Sequence, residues 1–145
     1  MASSAYAVTM TNLLDGTLTT FSLTAAGNKV ALFTSALAPN FLTNTDFTAA
    51  PYTTNEVASA GYTAGGLAIA GPSWVAAGAS PVITYDAIDS AWTGVTLTAR
   101  QAIYYADALA GNNLYYCLDF GSDFTATAGP FTIVYNVAGI FTWTL

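Results

Sequence analysis

The feature that most constrains the fold is the alternation of apolar and polar side chains in residues 94–120. In the first half of this segment Val95, Leu97, Ile103 and Tyr105 fall on one face when the chain is given the two-residue period of a strand. A helix would scatter the same residues around its axis. The first half of the segment is therefore predicted to be a β-strand.

The second half of the segment, from Leu114 to Phe120, alternates in the same way. It places Leu114, Tyr116, Leu118 and Phe120 on one face and Tyr115, Cys117 and Asp119 on the other. A Gly-Asn-Asn sequence at residues 111–113 separates the halves and tolerates the positive φ angles of a chain reversal. The two halves are predicted to pair as an antiparallel hairpin.

Shorter runs of strand-like sequence lie on both sides of the hairpin. They occupy residues 18–24, 29–35, 67–70, 73–77, 82–87, 130–135 and 140–145, with Gly139 as the turn between the last two. The run at 29–35 is apolar on both faces, which indicates a central strand. An apolar stripe of Tyr6, Met10, Leu13 and Leu14 predicts one helix, with Ser3 or Ser4 as its cap and Gly16 at its end.

These elements predict a mainly β fold. It is an antiparallel β-sandwich or small barrel of about seven or eight strands with one short N-terminal helix. A chain of 145 residues is expected to form a single β-rich domain, 1–145. Within it we expect the N-terminal helix in residues 1–16, a long extended loop or arm at 38–66, and a strand-rich body at 67–145.

The arm at residues 38–66 has no periodicity, but it is rich in aromatic side chains. Loops of this length in a compact domain are usually functional, and disordered segments are poor in aromatic residues. We therefore expect the arm to dock on a partner protein or a sister subunit. The candidate interface residues are Phe41, Phe47, Tyr52 and Tyr62.

Charge is unusually scarce, at 7% of residues with a net charge of −6. Only Lys29 and Arg100 are cationic, so no basic patch is available to neutralise phosphates. We therefore do not expect the chain to bind nucleic acid. A surface with so few charges suits a protein that is packed against neighbours. A homo-oligomer, either a dimer or a trimer, is expected.

Targeting signals are not expected. The first residues lack a basic region followed by an unbroken apolar core, so no secretory signal is predicted. No stretch approaches the ~20 apolar residues of a membrane helix, so no membrane partner is expected. Cys117 is the single cysteine and lies in a strand, which indicates a small buried side chain rather than half of a disulfide.

No residue set predicts a catalytic centre, and we expect neither an enzyme nor a cofactor or metal. The sequence has no histidine to act as a general base, and nothing activates Cys117. The glycines of residues 61–66 lack the lysine and the following helix of a phosphate loop, which favours a structural turn. Asp86 and Asp89 lack the spacing of a calcium loop, which favours a solvated turn, although calcium held between subunits stays open.

Arg100 is the only arginine and lies within the first strand of the hairpin. An arginine among apolar neighbours is costly unless it meets a carboxylate. We therefore expect a structural ion pair or network with Asp86, Asp89 or Asp119, within the subunit or across an interface. The alternative is that Arg100 lies on a strand face open to water.

The order of short motifs along the chain resembles that of small virion structural proteins of tailed bacteriophages, of the capsid decoration or cement type. The matching residues are LLDG at 13–16, KVALFTS at 29–35, EVASAGYTAGG at 56–66, the Ala-Arg pair at 99–100, and the strands FTI to GIF within 131–141. The resemblance covers nearly the whole chain, and it implies a structural protein of the phage particle.

The resemblance and the composition together lead to a functional expectation. The chain is expected to be a capsid cement or decoration protein of the virion, made in the host cytoplasm, that stabilises the head by lattice contacts. Its expected partners are the major capsid protein or other virion proteins. The alternative is a tail or tail-fibre associated binding module that recognises a host surface glycan or a neighbouring tail protein.

Overall fold

The computed structural model describes residues 2–76 and 81–144 and is mainly β. Its elements in chain order are β1 Ser4–Ala5, α1 Ala7–Leu14, β2 Asn28–Phe33, α2 Tyr52–Asn55, β3 Leu67–Ala68, β4 Ser73–Ala76, β5 Val82–Asp86, β6 Ser90–Ala106, β7 Asn113–Ile133 and β8 Phe141–Thr144. The two longest strands, β6 and β7, form the predicted antiparallel hairpin.

The strands form two antiparallel sheets. The large sheet has the order β1-β7-β6-β2-β3, and the small sheet has the order β4-β5-β8. Neither sheet closes into a barrel over the described residues, so of the two predicted architectures the structure has the sandwich-like one. None of the described helices is long and apolar enough to span a membrane.

The small sheet packs on one face of the large sheet through aromatic side chains. The ring of Phe141 in β8 stacks on Tyr116 with centroids 4.5 Å apart, and Tyr85 in β5 meets Tyr115 edge-on at 6.2 Å. We call the apolar layer between the sheets the inter-sheet core. Its buried members include Tyr85, Trp92, Val95, Leu97, Tyr104 and Tyr115.

The other face of the large sheet is covered by irregular chain rather than by a sheet. Here the start of α1 and the segment from Leu37 to α2 pack on the proximal half of the hairpin, nearest its turn. We call this layer the loop-side core. It contains Tyr6, Phe33, Leu37, Tyr52, Ile103 and Tyr105 among its buried residues. β2 is buried on both of its faces, as its sequence predicted, and it lies between β6 and the two-residue strand β3.

The predicted alternation of side chains in β6 is correct within each half of the strand, but the two halves point their apolar side chains to opposite faces of the sheet. Val95 and Leu97 belong to the inter-sheet core, whereas Ile103 and Tyr105 belong to the loop-side core. The change occurs at the register shift between Ala99 and Gln101, where the two-residue alternation of side chains along β6 is interrupted.

A second register shift changes the faces predicted for β7. Tyr104 lies opposite Tyr116, but Tyr105 lies opposite Leu114, so Tyr115 has no residue directly opposite it. Leu114 therefore points into the loop-side core while Tyr116 joins the inter-sheet core. The predicted common face of Leu114 and Tyr116 is wrong for this reason.

Two further predictions are corrected. Residues 18–24 form turns rather than a strand, and Phe21 is their buried contact with the inter-sheet core. The N-cap of α1 is Tyr6, with no side-chain capping bond, because Ser4 pairs with β7 as part of β1. The predicted turn at Gly139 is present, and it leads to β8, which pairs with β5. Ala77 and Leu145, the ends of two predicted strands, lie outside the described residues.

Candidate functional site

The aromatic residues predicted to lie in a docking arm pack against the chain itself. Tyr52 is 1% exposed, and its hydroxyl lies 2.7 Å from that of Tyr6. The Phe41 ring meets Tyr6 edge-on, and Phe47 stacks on Tyr105 with centroids 3.8 Å apart. Tyr52 belongs to the loop-side core, whereas Phe41 and Phe47 pack against it and are partly buried. The interface role expected of these three residues stays a prediction.

Tyr62, the fourth predicted interface residue, belongs to a polar cluster that we call the Glu56 clasp. Its hydroxyl donates to Glu56 Oε1 at 2.8 Å and accepts from the Leu32 N–H at 2.9 Å. The Gly65 N–H donates to the same Glu56 oxygen at 2.6 Å, and the Tyr105 hydroxyl donates to the Gly65 carbonyl. Burial raises the pKa of Glu56, and the bonds from Tyr62 and Gly65 partly oppose that rise.

The clasp covers the outer edge of β2, which we call the covered edge. The Val57 N–H donates to the Leu32 carbonyl at 2.9 Å, and the Thr34 N–H donates to the Asn55 carbonyl at 3.1 Å. β3 pairs with the start of the same strand, at Lys29 and Val30. The glycine-rich motif at residues 61–66 is thus part of an edge cover, the structural turn that its sequence indicated.

Arg100 forms an ion pair with Asp119 across the hairpin. Its Nε donates to Asp119 Oδ1 at 2.8 Å, and the side chains of Arg100 and Asp119 are 26% and 1% exposed. The other predicted acids lie elsewhere, since Asp86 accepts from the Ala87 N–H and Asp89 from the Tyr135 N–H. Burial alone would raise the pKa of Asp119, but its hydrogen bonds, including that from Arg100, hold the pKa well below its usual range.

The Asp119 carboxylate lies at the start of a bulge in β7 that contains residues 120–123. Ala99 lies opposite Phe124 and Gln101 lies opposite Asp119, so Arg100 alone faces residues 120–123. Asp119 Oδ1 also accepts from the Gly121 N–H at 3.0 Å, and Gly121 takes the positive φ of 80° that the bulge requires. The ion pair therefore lies at the point beyond which residues 90–99 of β6 pair with residues 124–133 of β7, the part of the hairpin that we call the distal hairpin.

Beyond this bulge the outer side of β7 is an open edge. β1 pairs with β7 only at Tyr116 and Cys117, and the Asp119 N–H donates to Ser3 Oγ. Further along, no strand of the described chain pairs with the outer side of β7. An edge of this kind presents unpaired backbone donors and acceptors and is a template for another strand.

An apolar groove of about 370 Å³ runs beside the open edge, on the inter-sheet face. Phe120 meets Phe124 at 6.1 Å and Phe131 at 6.0 Å between ring centroids, and Phe124 is 52% exposed. We call it the Phe groove. It is lined by Leu118, Phe120, Phe124, Ala126, Phe131 and Val134, among others. It extends the apolar layer of the inter-sheet core to the surface of the molecule.

The opposite face of the distal hairpin is a patch of exposed threonines. The Thr98 and Thr125 hydroxyls lie 2.8 Å apart across the two strands, and Thr96 Oγ1 accepts from the Ala128 N–H. Thr127 is exposed beside them. The distal hairpin thus has one apolar face, one hydroxyl face and one free edge.

The chemistry that this site offers is strand pairing and apolar contact. Cys117 is fully buried, and burial raises the pKa of its thiol to about 12, which makes it a poor nucleophile. Over the residues that the structure describes, no group of three or more potential metal ligands comes together. The strongest feature for a function is therefore the open edge of β7 with its Phe groove.

Sequence reasoning did not assign residues 121–129 to a strand, and it missed the open edge for that reason. The Phe-Gly-Ser-Asp sequence at 120–123 interrupts the alternation, and Pro130 interrupts it again. Both are signals of a bulged edge strand, since glycine favours bulges and proline is confined to edges and bulges.

No family model matches this chain, and no curated protein or solved structure matches it either.

Proposed function

We propose that this chain is a structural protein of a tailed-phage virion, which binds the outside of the capsid as a cement or decoration protein. The observation that supports this proposal is the open edge of β7 beside the exposed Phe groove, on a chain with only two cations. A free edge and an apolar groove bind extended protein segments and need no catalytic group.

The phage component of the proposal comes from the resemblance in sequence motifs. Three of the five motifs have clear structural positions: LLDG ends α1, KVALFTS overlaps β2, and EVASAGYTAGG supplies the Glu56 clasp. Proteins that share one fold are expected to share the motifs that end a helix, form a buried strand and cover a sheet edge. A resemblance in these motifs is therefore what common membership in a structural family would produce.

Lattice binding supplies the mechanism. Each copy covers a modest apolar area in the Phe groove, and a single contact of that size is weak. On a capsid, copies that also touch one another are held at high effective concentration, so that weak contacts add up to a lasting shell. The partners in this proposal are the major capsid protein and neighbouring copies of the chain.

Gel densitometry of purified virions tests the proposal. The copy number of the chain is measured against the major capsid protein in the same lane. Hundreds of copies per particle are expected for a cement protein. A few dozen copies would instead support a tail or fibre module that binds glycan or a neighbouring tail protein. Absence from the particle would contradict a virion role.

A further inference from the structure

We propose that the Phe groove binds an extended segment of a different protein, one that carries apolar side chains together with lysine or arginine. This inference rests on the proposed function, because it gives the chemistry of the partner that the groove would bind there. It is drawn from the exposure of the groove, from the two acids beside it and from the way the cations of the chain are used.

The Phe groove is open in a way that suits the side chains of a peptide rather than a small molecule. Its volume is about 370 Å³, and two of its lining residues, Phe124 and Val134, are 52% and 74% exposed. A small ligand is normally held with most of its surface buried. The open edge of β7 runs alongside and offers backbone donors and acceptors, which an extended peptide can use and an apolar molecule cannot.

Two acids adjoin the lining of the groove. Asp123 directly precedes Phe124, and the Asp89 carboxylate accepts a hydrogen bond at 2.9 Å from the N–H of Tyr135, the residue after Val134. Both acids are exposed, and neither forms an ion pair within the described residues. An apolar groove with carboxylates beside it is complementary to a segment that combines apolar side chains with cations.

The cations of the chain argue against a second copy as the occupant. The sequence contains only two basic side chains, Lys29 and Arg100. Lys29 pairs with Asp107 at 2.7 Å, and Arg100 pairs with Asp119 at 2.8 Å, so both are already used within the chain. A second copy would bring further acids to the groove and no unpaired lysine or arginine. Complementary charge has to come from a different protein.

The same acids disfavour an anionic surface as the occupant. Anionic membrane leaflets and nucleic acids attract segments that are rich in lysine and arginine. This chain has a net charge of −6, and the groove would present only carboxylates to such a surface. A cationic protein segment is the class of partner that both the apolar lining and the charges fit.

Binding of two synthetic peptides to the isolated protein tests the inference. The first peptide is Lys-Val-Thr-Val-Thr-Val-Lys with blocked ends, and the second replaces both lysines by glutamate. Both have one apolar face when extended, and they differ only in charge. Fluorescence anisotropy of the labelled peptides measures the two dissociation constants. The lysine peptide is expected to bind at least about ten-fold more tightly, because its cations meet acids where the glutamates meet like charges.

Three variants locate the site. The double variant Asp89→Asn with Asp123→Asn keeps an acceptor for the Tyr135 N–H and should reduce the preference to less than about two-fold. Asp15→Asn, which removes an exposed acid at the end of α1, is the matched control and should keep the full preference. Phe124→Ser should weaken both peptides by a similar factor, at least about five-fold, because it removes apolar contact and no charge.

Several outcomes would overturn the proposal. Equal affinity of the two peptides for the parent would show that charge does not select the segment, and so would a preference that survives in the double variant. Unchanged binding to Phe124→Ser would place the site outside the groove. Absence of binding of the lysine peptide at about 1 mM would mean that the groove does not take such a segment.

The two proposals fail separately. If the lysine peptide is not preferred while the chain is present in hundreds of copies per virion, the cationic partner is wrong and the structural role stands. If the peptides bind as expected but the chain is absent from the virion, the chemistry of the groove stands and the virion role is wrong.

Discussion

The two outer edges of the large sheet are treated in opposite ways. At the covered edge, β2 meets β3 and the Glu56 clasp, and Leu32 is hydrogen-bonded through both its N–H and its carbonyl. At the open edge, β7 leaves the bulge at Gly121 and meets no further described strand on its outer side. The covered edge is therefore closed to another strand, whereas the open edge keeps unpaired backbone groups to which a strand could add.

The two edges also differ in the side chains that they carry. The clasp is held by a half-buried carboxylate that accepts from one side chain and one backbone N–H. The open edge has a single acid, Asp123, and a row of threonine and phenylalanine side chains. Fixed polar bonds hold a cover in one place, whereas hydroxyl and apolar surfaces can still accept a partner.

Replacement of one glycine at each edge by alanine should give the largest difference in the free energy of unfolding. At Gly66, φ is +72° and an added Cβ would overlap the Val30 carbonyl oxygen, whereas at Gly121 φ is +80° and nothing lies within 4 Å. Gly121→Ala should cost only the left-handed backbone strain, about 1–2 kcal/mol. Gly66→Ala should cost more than about 4 kcal/mol, because backbone must also move. Urea denaturation measures both, and equal losses would mean that the covered edge is loosely packed.

The two ion pairs should differ by a smaller amount. Arg100→Ala leaves the nearly inaccessible Asp119 without one donor and should cost about 2–3 kcal/mol, with partial recovery in Arg100→Lys. Lys29→Ala is the matched control. Lys29 pairs with Asp107 at 2.7 Å, but both side chains are about one-third exposed, so the loss should stay below about 1 kcal/mol.

If denaturant melts show that Arg100→Ala is as stable as the parent, the ion pair does not set the start of the open edge. A loss confined to Arg100→Ala would instead support the role of Asp119 in holding the β7 bulge.

Removal of one hydroxyl from each edge should give a smaller contrast. Tyr62→Phe leaves the Leu32 N–H and Glu56 without a shared partner at the covered edge, which should cost about 1–2 kcal/mol. Thr98→Val removes an exposed hydroxyl that pairs with Thr125, and its effect should lie within about 0.5 kcal/mol. Thermal unfolding of both variants measures the two losses. A larger loss for Thr98→Val than for Tyr62→Phe would contradict the view that the covered edge is the more firmly held of the two.

The smallest effect concerns the charge of the clasp. Because burial raises the pKa of Glu56 above its ordinary 4.5, stability from this residue is fully present below that pH and is lost as the pH rises through the folded-state pKa. Glu56→Gln keeps an acceptor oxygen and cannot ionise. The variant should match the parent at pH 4 and be at least as stable at pH 7.

Asp15→Asn serves as the control of opposite sign. Hydrogen bonds from Thr17 lower the pKa of Asp15, so the parent should gain on this variant as the pH rises. A difference between the parent and Glu56→Gln that does not change with pH would contradict a buried, ionising Glu56.

The distal hairpin shows where sequence prediction stopped. The alternation from Val95 to Leu97 gave the strand and its buried face, and the prediction of an Arg100 partner included Asp119. The alternation did not predict the change of face within β6, because the register shift between Ala99 and Gln101 depends on how β6 pairs with β7 and not on the local pattern. The aromatic composition of residues 38–66 predicted a docking segment but did not indicate that Tyr52 is buried within the chain, since composition does not state which way a side chain in an irregular segment points.

The amino-acid sequence by itself determined the local elements, namely α1, the central β2, the β6–β7 hairpin and the turn at Gly139. These follow from the periodicity of neighbouring residues, which acts over a few positions. Only the tertiary structure decided which edges are covered, which aromatic residues are buried and which acid meets Arg100. Those outcomes depend on contacts between residues far apart in the chain, such as Leu32 with Tyr62 and β5 with β8, and the free energy of such contacts is set by packing that no short stretch contains.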